Sequence, residues 1–224
     1  QAAALLESAS AFMPGSADIQ TIAFQLATDC FARADYDTTI RALKIAKESM
    51  LGSAEFHAML GYSMYRAGDA AGAVTELQRA MDLNPGNQDY VLELSEVFVA
   101  NNNPEAARTL LETANHVFPS SARIWFALGV SYIAAEDVED GEAALKRSLE
   151  LDTQLHLAYV VLGQAYRDAG RWDALLTTSE KLINADPTNH LGYFYKAFAL
   201  IRQTDSDPAQ IQRPVSYTHL TLPT

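Results

Sequence analysis

Glycine, proline and leucine each recur along this chain at an interval of 34 residues or its double. The recurring positions are Gly61, Gly129 and Gly163, then Pro85, Pro119 and Pro187, then Leu77, Leu111 and Leu145. Because independent residue types share one period, the chain is predicted to repeat a single supersecondary unit. Such a chain buries its apolar surface by stacking neighbouring repeats, and not around one central core.

Each repeat is predicted to contain two amphipathic helices, called here the first and the second helix. Trp125, Leu128 and Tyr132 are spaced three and four residues apart, so they share one face of a first helix. A small residue follows the leucine, as Gly129 does here, and is expected to let the two helices of a repeat approach closely.

Characteristic residues also mark the ends of these helices. Residues that tolerate a left-handed conformation close the first helices at Gly68, Asn102 and Gly170. The repeat position that follows is expected to cap the second helix where it holds Asp69, Asn103 or Asp137. Prolines then stop the second helices at Pro85, Pro119 and Pro187. The pattern therefore predicts antiparallel helix pairs joined by short turns.

The order of these residues resembles the tetratricopeptide repeat family, whose unit carries a W-x-x-L-G-x-x-Y pattern followed by alanines and a proline. The resemblance covers residues 20–203 and is clearest at Trp125, Leu128, Gly129 and Tyr132. It implies an all-α fold, a right-handed α-solenoid of stacked antiparallel helix pairs. It also implies a concave groove lined mainly by the first helices.

The period divides the chain into segments. Residues 1–19 are interpreted as the end of a preceding helix and a linker. Full repeats are predicted at 20–53, 54–87, 88–121, 122–155 and 156–189, and a truncated sixth at 190–213. Residues 214–224 carry no helical period and resemble a translated sequencing adapter, so they are set aside as a tail that is not native sequence.

Composition excludes several classes of function. The chain has 16 basic and 28 acidic residues, a formal charge of −12, which disfavours nucleic-acid binding. No apolar run is long enough to span a membrane. Because the chain opens on Gln1 with no methionine, it is interpreted as a fragment or a processed chain, and a cytoplasmic or a periplasmic location stays open.

No motif of a known catalytic or cofactor site is present. The sequence lacks a P-loop, a dinucleotide-binding glycine motif, a zinc-protease HExxH and a GxSxG elbow. His156 and His190 lie one repeat apart and are interpreted as surface residues at helix starts, while Cys30 is interpreted as a buried apolar residue. The chain is therefore predicted to be no enzyme and to need no cofactor or metal.

The resemblance also implies which first-helix side chains face the groove. The candidate partner-binding residues are Phe24, Phe31, Met59, Tyr62, Tyr65, Glu96, Phe126, Val130, Val160, Gln164, Arg167 and Tyr195. For Val130 and Val160, burial against the next repeat is the competing interpretation. A subclass of the family holds a terminal carboxylate with a lysine where this chain has Phe24, Ala58 and Leu92, so binding of that kind is not expected.

These observations favour a non-catalytic scaffold that binds an apolar or amphipathic peptide or helix of a partner protein. A second hypothesis is that the repeats are the regulatory or substrate-recruiting part of a larger enzyme. A third is self-association through exposed ends of the solenoid.

Overall fold

The computed structural model describes residues 2–205, and that part of the chain forms twelve α-helices and no strand. The helices are α1 (Ala2–Phe12), α2 (Ala17–Ala32), α3 (Tyr36–Met50), α4 (Ala54–Arg66), α5 (Ala70–Leu83), α6 (Gln88–Ala100), α7 (Pro104–Val117), α8 (Ala122–Ala134), α9 (Val138–Leu151), α10 (His156–Asp168), α11 (Trp172–Ala185) and α12 (His190–Asp205). The adapter-like tail and residues 206–213 of the predicted sixth repeat lie outside the described residues.

The described helices fall into two compact units, one with α1 to α9 and the other with α10 to α12. In the first unit, α2 packs on α3, α4 on α5, α6 on α7 and α8 on α9. Successive first helices also touch, α4 with α6 and α6 with α8. In the second unit, α10, α11 and α12 pack on one another. The all-α fold of stacked helix pairs that the sequence predicts is therefore confirmed.

The buried side of the second helices repeats with the sequence period. Each of α3, α5, α7, α9 and α11 buries three residues that are four and three apart, which puts them on one face. The buried residues are Thr39, Leu43 and Ala46, then Ala73, Leu77 and Ala80, then Ala107, Leu111 and Ala114, then Gly141, Leu145 and Ser148, and finally Leu175, Ser179 and Leu182. This row forms the contact between the second helices and their neighbours.

Glycine allows the two helices of a repeat to approach closely. A Cβ at Gly61 would lie 2.8 Å from the Cγ of Leu77 on α5, and one at Gly129 would lie 2.6 Å from the Cγ of Leu145 on α9. The expected close approach is confirmed at both positions. At Gly163 the second helix of the same repeat, α11, was the expected neighbour. The atoms nearest to an added Cβ belong instead to the ring of Tyr195 on α12.

The turns between first and second helices share one backbone conformation. The predicted left-handed residues Gly68, Asn102 and Gly170 have φ of 91°, 57° and 67°. Ala34 and Glu136 occupy the same repeat position and adopt the left-handed conformation too, with φ of 57° and 65°. The repeat register therefore imposes the conformation even where the residue does not favour it.

As predicted, side chains cap the starts of second helices, and prolines follow the last residues of second helices. The Asp69 carboxylate accepts a bond from the Gly72 amide at 2.9 Å, and the Asn103 side-chain oxygen accepts one from the Ala106 amide at 3.3 Å. Asp137 accepts a longer bond of 3.4 Å from the Asp140 amide. Pro85, Pro119 and Pro187 each lie two residues beyond the last residue of α5, α7 and α11. None of the helices between residues 2 and 205 is long and apolar enough to cross a bilayer.

Candidate partner-binding surface

Four aromatic rings from α2, α3 and α4 form one cluster, named here the aromatic cluster and consisting of Phe31, Tyr36, Tyr62 and Tyr65. Their rings meet edge to face with centroid separations of 5.8 to 6.2 Å, an attractive arrangement for aromatic quadrupoles. All four residues are half-buried, so part of each ring remains accessible. The cluster is a rigid surface with both apolar faces and phenolic hydroxyls.

Arg66 closes one side of the aromatic cluster. Its Cζ lies 4.9 Å from the ring centroid of Tyr36 and 5.8 Å from that of Tyr62. Its Nη1 also donates a hydrogen bond of 3.0 Å to the Tyr62 hydroxyl. A guanidinium stacked on these rings shows that they attract a cationic group.

Tyr65 links the aromatic cluster to the next first helix. Its phenol lies near the exposed carboxylate of Glu96 on α6. Burial and then the Glu96 charge raise the pKa of Tyr65 above its ordinary value, so the phenol stays a neutral donor at physiological pH. The edge of the cluster is therefore acidic.

Three carboxylates follow one another along α6, at Asp89, Glu93 and Glu96. Their spacing of four and three residues puts them on one stripe of the helix. Asp89 pairs with the Nη1 of Arg123 on α8. Glu93 is largely buried, and its Oε2 has no hydrogen-bond partner among the described residues. Burial, followed by the charges of Asp89 and Glu96, raises the pKa of Glu93 to about 7.

The predicted residues of the first unit fall into three groups. Phe31, Tyr62, Tyr65 and Glu96 lie together as described, whereas Met59 is only 7% exposed and packs with the core residues around Phe56. Three further candidates from α2 and α8 are half-buried, namely Phe24, Phe126 and Val130. Met59 therefore supports the surface from beneath and offers no contact area of its own.

Three residues of this surface were not among the candidates from the sequence. Arg66 and Glu93 lie at first-helix positions that the repeat register assigns to the groove, so the register alone could have identified them. Tyr36 is the first residue of α3, a second helix, and no first-helix pattern marks it. Its place beside Phe31 and Tyr62 follows from the tight turn between α2 and α3.

In the second unit, the four candidates have different surroundings. Gln164 is exposed, Val160 is half-buried, and the Nε of Arg167 donates a bond of 2.9 Å to Asp168. Tyr195 is 3% exposed because its ring lies over Gly163, and burial raises its pKa. It is a packing residue between α10 and α12.

Between residues 2 and 205, no three side chains of histidine, cysteine, aspartate or glutamate lie close enough together to hold a metal ion. Cys30 is buried, in line with its interpretation as an apolar residue. His156 is half-buried at the start of α10, with its Nδ1 3.8 Å from the Oδ2 of Asp186, and His190 is exposed at the start of α12.

Comparison with known protein sequences points to one repeat family. Residues 64–129 and residues 122–155 match two family models, both described as the tetratricopeptide repeat. Superkiller protein 3 of Saccharomyces cerevisiae is 23% identical over 128 residues, which make up 54% of this chain and 9% of that protein. The chain thus spans less than a tenth of the length of this relative.

Solved structures share the fold. A thermophilic tetratricopeptide repeat protein of Thermus thermophilus superposes with a TM-score of 0.64 at 21% identity, covering 81% of this chain and 99% of that chain. MamA residues 41 to the end from Desulfovibrio magneticus superposes with a TM-score of 0.61 at 22% identity, covering 74% and 92% of the two chains. Residues 64–155 are thus similar to the tetratricopeptide repeat, and the described helices adopt the stacked helix-pair fold of these solved structures.

Proposed function

We propose that this chain is a protein-interaction scaffold that binds a segment of a partner on the first-helix side of its first unit. This surface is called here the binding face and consists of Phe31, Tyr36, Tyr62, Tyr65, Glu93, Glu96, Phe126 and Val130. The observation that carries the proposal is the half-buried aromatic cluster, whose rings are held in place by one another and by Arg66. Rigid aromatic side chains lose little entropy on binding and dominate the energy of many interfaces.

The tetratricopeptide matches support the same function, because stacked helix pairs of this kind serve as extended surfaces for other proteins. The described part of the chain places no group of metal-binding side chains near the binding face. Recruitment of a substrate to a larger enzyme, the second hypothesis, would use the same face, and the variants below would test it equally.

A capture experiment tests the binding face. Partners are isolated on the immobilised chain, and capture is compared with a variant that carries Tyr62→Ala, Tyr65→Ala and Phe126→Ala. A matched triple variant on exposed second-helix positions, Gln78→Ala, Arg79→Ala and Thr113→Ala, serves as the control. We expect the first variant to lose the captured protein and the control to retain it. Equal capture by all three chains would contradict the binding face.

We also propose that α12 provides a surface for self-association. Its exposed apolar residues are Tyr193, Phe194, Leu200 and Ile201, with 45% to 61% of each residue accessible. Apolar residues that recur along one helix without cover favour association. Sedimentation velocity of the chain and of a Leu200→Ser, Ile201→Ser variant tests this, and we expect a concentration-dependent dimer that the variant lacks. A monomer at all concentrations in both samples would contradict it.

A further inference from the structure

We propose that the binding face selects a partner segment with a lysine or arginine, whose cationic group lies against Glu93 and Glu96 while a neighbouring apolar side chain packs on the aromatic cluster. This inference rests on the proposed function and adds the chemistry of the partner. It commits to a basic segment, in contrast to the acidic or carboxyl-terminal segments that a basic groove would take.

The first support is the surplus of negative charge beside the aromatic cluster. The charged groups that act on Glu93 are Asp89 and Glu96 on its own helix and Arg123 on α8. Arg123 is already paired with Asp89. Helix α4 contributes the neutral phenol of Tyr65 and the guanidinium of Arg66, whose charge also acts on Glu96. Three carboxylates therefore face two arginines, of which Arg123 pairs with Asp89 and Arg66 lies on the tyrosine rings, so a cation from a partner would complement the remaining negative charge.

The second support is the unsatisfied oxygen of Glu93. Its Oε2 is shielded from solvent and has no hydrogen-bond partner in the described part of the chain. A buried acceptor without a donor is costly, and the cost is removed when a donor arrives. Lysine and arginine side chains are donors only, and both carry the charge that a carboxylate attracts. A partner carboxylate would instead add a further negative charge to the stripe.

The third support is the position of the tyrosine rings. Arg66 stacks on Tyr36 and Tyr62, so the cluster already holds one guanidinium on its faces. A partner segment that crosses from the aromatic cluster to α6 meets apolar ring surface first and carboxylates next. The overall charge of −12 would in addition favour encounter with a basic segment.

The test is selection of displayed random 12-residue peptides on the immobilised chain, followed by affinity measurements with the strongest binders. We expect them to carry lysine or arginine next to an aromatic or aliphatic residue. Their affinity should fall at least about tenfold in a Glu93→Gln, Glu96→Gln double variant. Acetylating the peptide lysine should give a similar loss of affinity. Glu139→Gln, at an exposed position of α9, controls for the removal of a negative charge, and this variant should bind the peptides as tightly as the unchanged chain.

The pH dependence gives a second readout. Because the pKa of Glu93 is about 7, more of this carboxylate becomes charged between pH 6 and pH 8. Affinity for a lysine peptide should therefore rise over that range in the unchanged chain, and less so after Glu93→Gln.

Failure of this inference can be told apart from failure of the proposed function. Selected peptides that lack basic residues yet lose binding to the Tyr62, Tyr65 and Phe126 alanine variant would overturn the charge preference and leave the binding face intact. Peptides that respond to neither set of variants, or the absence of any selected peptide, would overturn both.

Discussion

The Nδ1 of His57 lies 2.6 Å from the Oε2 of Glu76, and this contact joins α4 to α5. The Nε2 of the same ring lies 3.1 Å from the carbonyl oxygen of Leu51, in the turn before α4. Both ring nitrogens thus lie within hydrogen-bond distance of an oxygen. Because His57 is 5% exposed, these contacts are buried, and the contact with Glu76 holds α4 against α5.

We predict that His57→Ala destabilises the chain by about 3 kcal/mol, because it removes a buried ring and leaves the half-buried Glu76 carboxyl without its hydrogen-bond partner. Urea unfolding followed by circular dichroism measures the change. His116→Ala on the exposed end of α7 is the matched control, and it should change the free energy of unfolding by less than about 0.5 kcal/mol. A small loss in both variants would show that the buried pair contributes no net stability.

Glu93→Gln is predicted to stabilise the chain at pH 8 and to leave it unchanged below pH 4.5. The folded chain raises the pKa of Glu93 from 4.5 to about 7, so between these values the unfolded chain is ionised while the folded chain still holds the proton. Stability therefore falls as pH rises through this window, by up to about 3 kcal/mol above pH 7. Because glutamine does not ionise, the variant does not lose this stability as the pH rises.

Thermal unfolding of the two chains at pH 4.5, 6 and 8 measures this difference. If Glu93→Gln raised the stability by the same amount at all three pH values, the raised pKa of Glu93 would be contradicted, since better packing of the amide alone would explain the gain. The same variant is expected to lose affinity for basic peptides, so higher stability with weaker binding would separate the two roles of this carboxylate.

Gly68→Ala is predicted to cost about 1 kcal/mol, because φ at this position is 91° and a side chain strains the left-handed conformation. An added Cβ would meet nothing within 4 Å, so the cost is conformational and not steric. Gly52 has equally open surroundings without a left-handed φ, and Gly52→Ala should be neutral or slightly stabilising. Equal effects in urea unfolding would contradict the role given to the turn.

Most of the fold could be predicted from the sequence because its determinants recur every 34 residues. Leu77, Leu111 and Leu145 are all fully buried, and the repeated position reveals what any single leucine does not. The left-handed turn was predicted only where glycine or asparagine indicates it. Ala34 and Glu136 adopt it because the stacking of the pairs fixes the turn, which no local preference of alanine or glutamate reveals.

The candidate surface was less predictable, because the repeat register gives the direction of a first-helix side chain but not its depth. Met59 and Tyr62 both carry large side chains at such positions, yet Met59 is buried and Tyr62 is half-buried. Tyr195 is buried because Gly163 leaves a space for its ring, a contact between residues of adjacent repeats. The raised pKa of Glu93 results from its burial and from the nearby charges of Asp89 and Glu96. The composition of the chain does not reveal such local effects.

Site-specific photo-crosslinking tests the central claim most directly. A photoreactive phenylalanine analogue is placed at Tyr62 or Phe126 on the binding face, or at Arg79 on the exposed side of α5, in cells that express the chain. We expect a partner segment containing lysine or arginine to be crosslinked from positions 62 and 126, and not from position 79. Crosslinks to partners from position 79 alone, or equally from all three positions, would contradict the account.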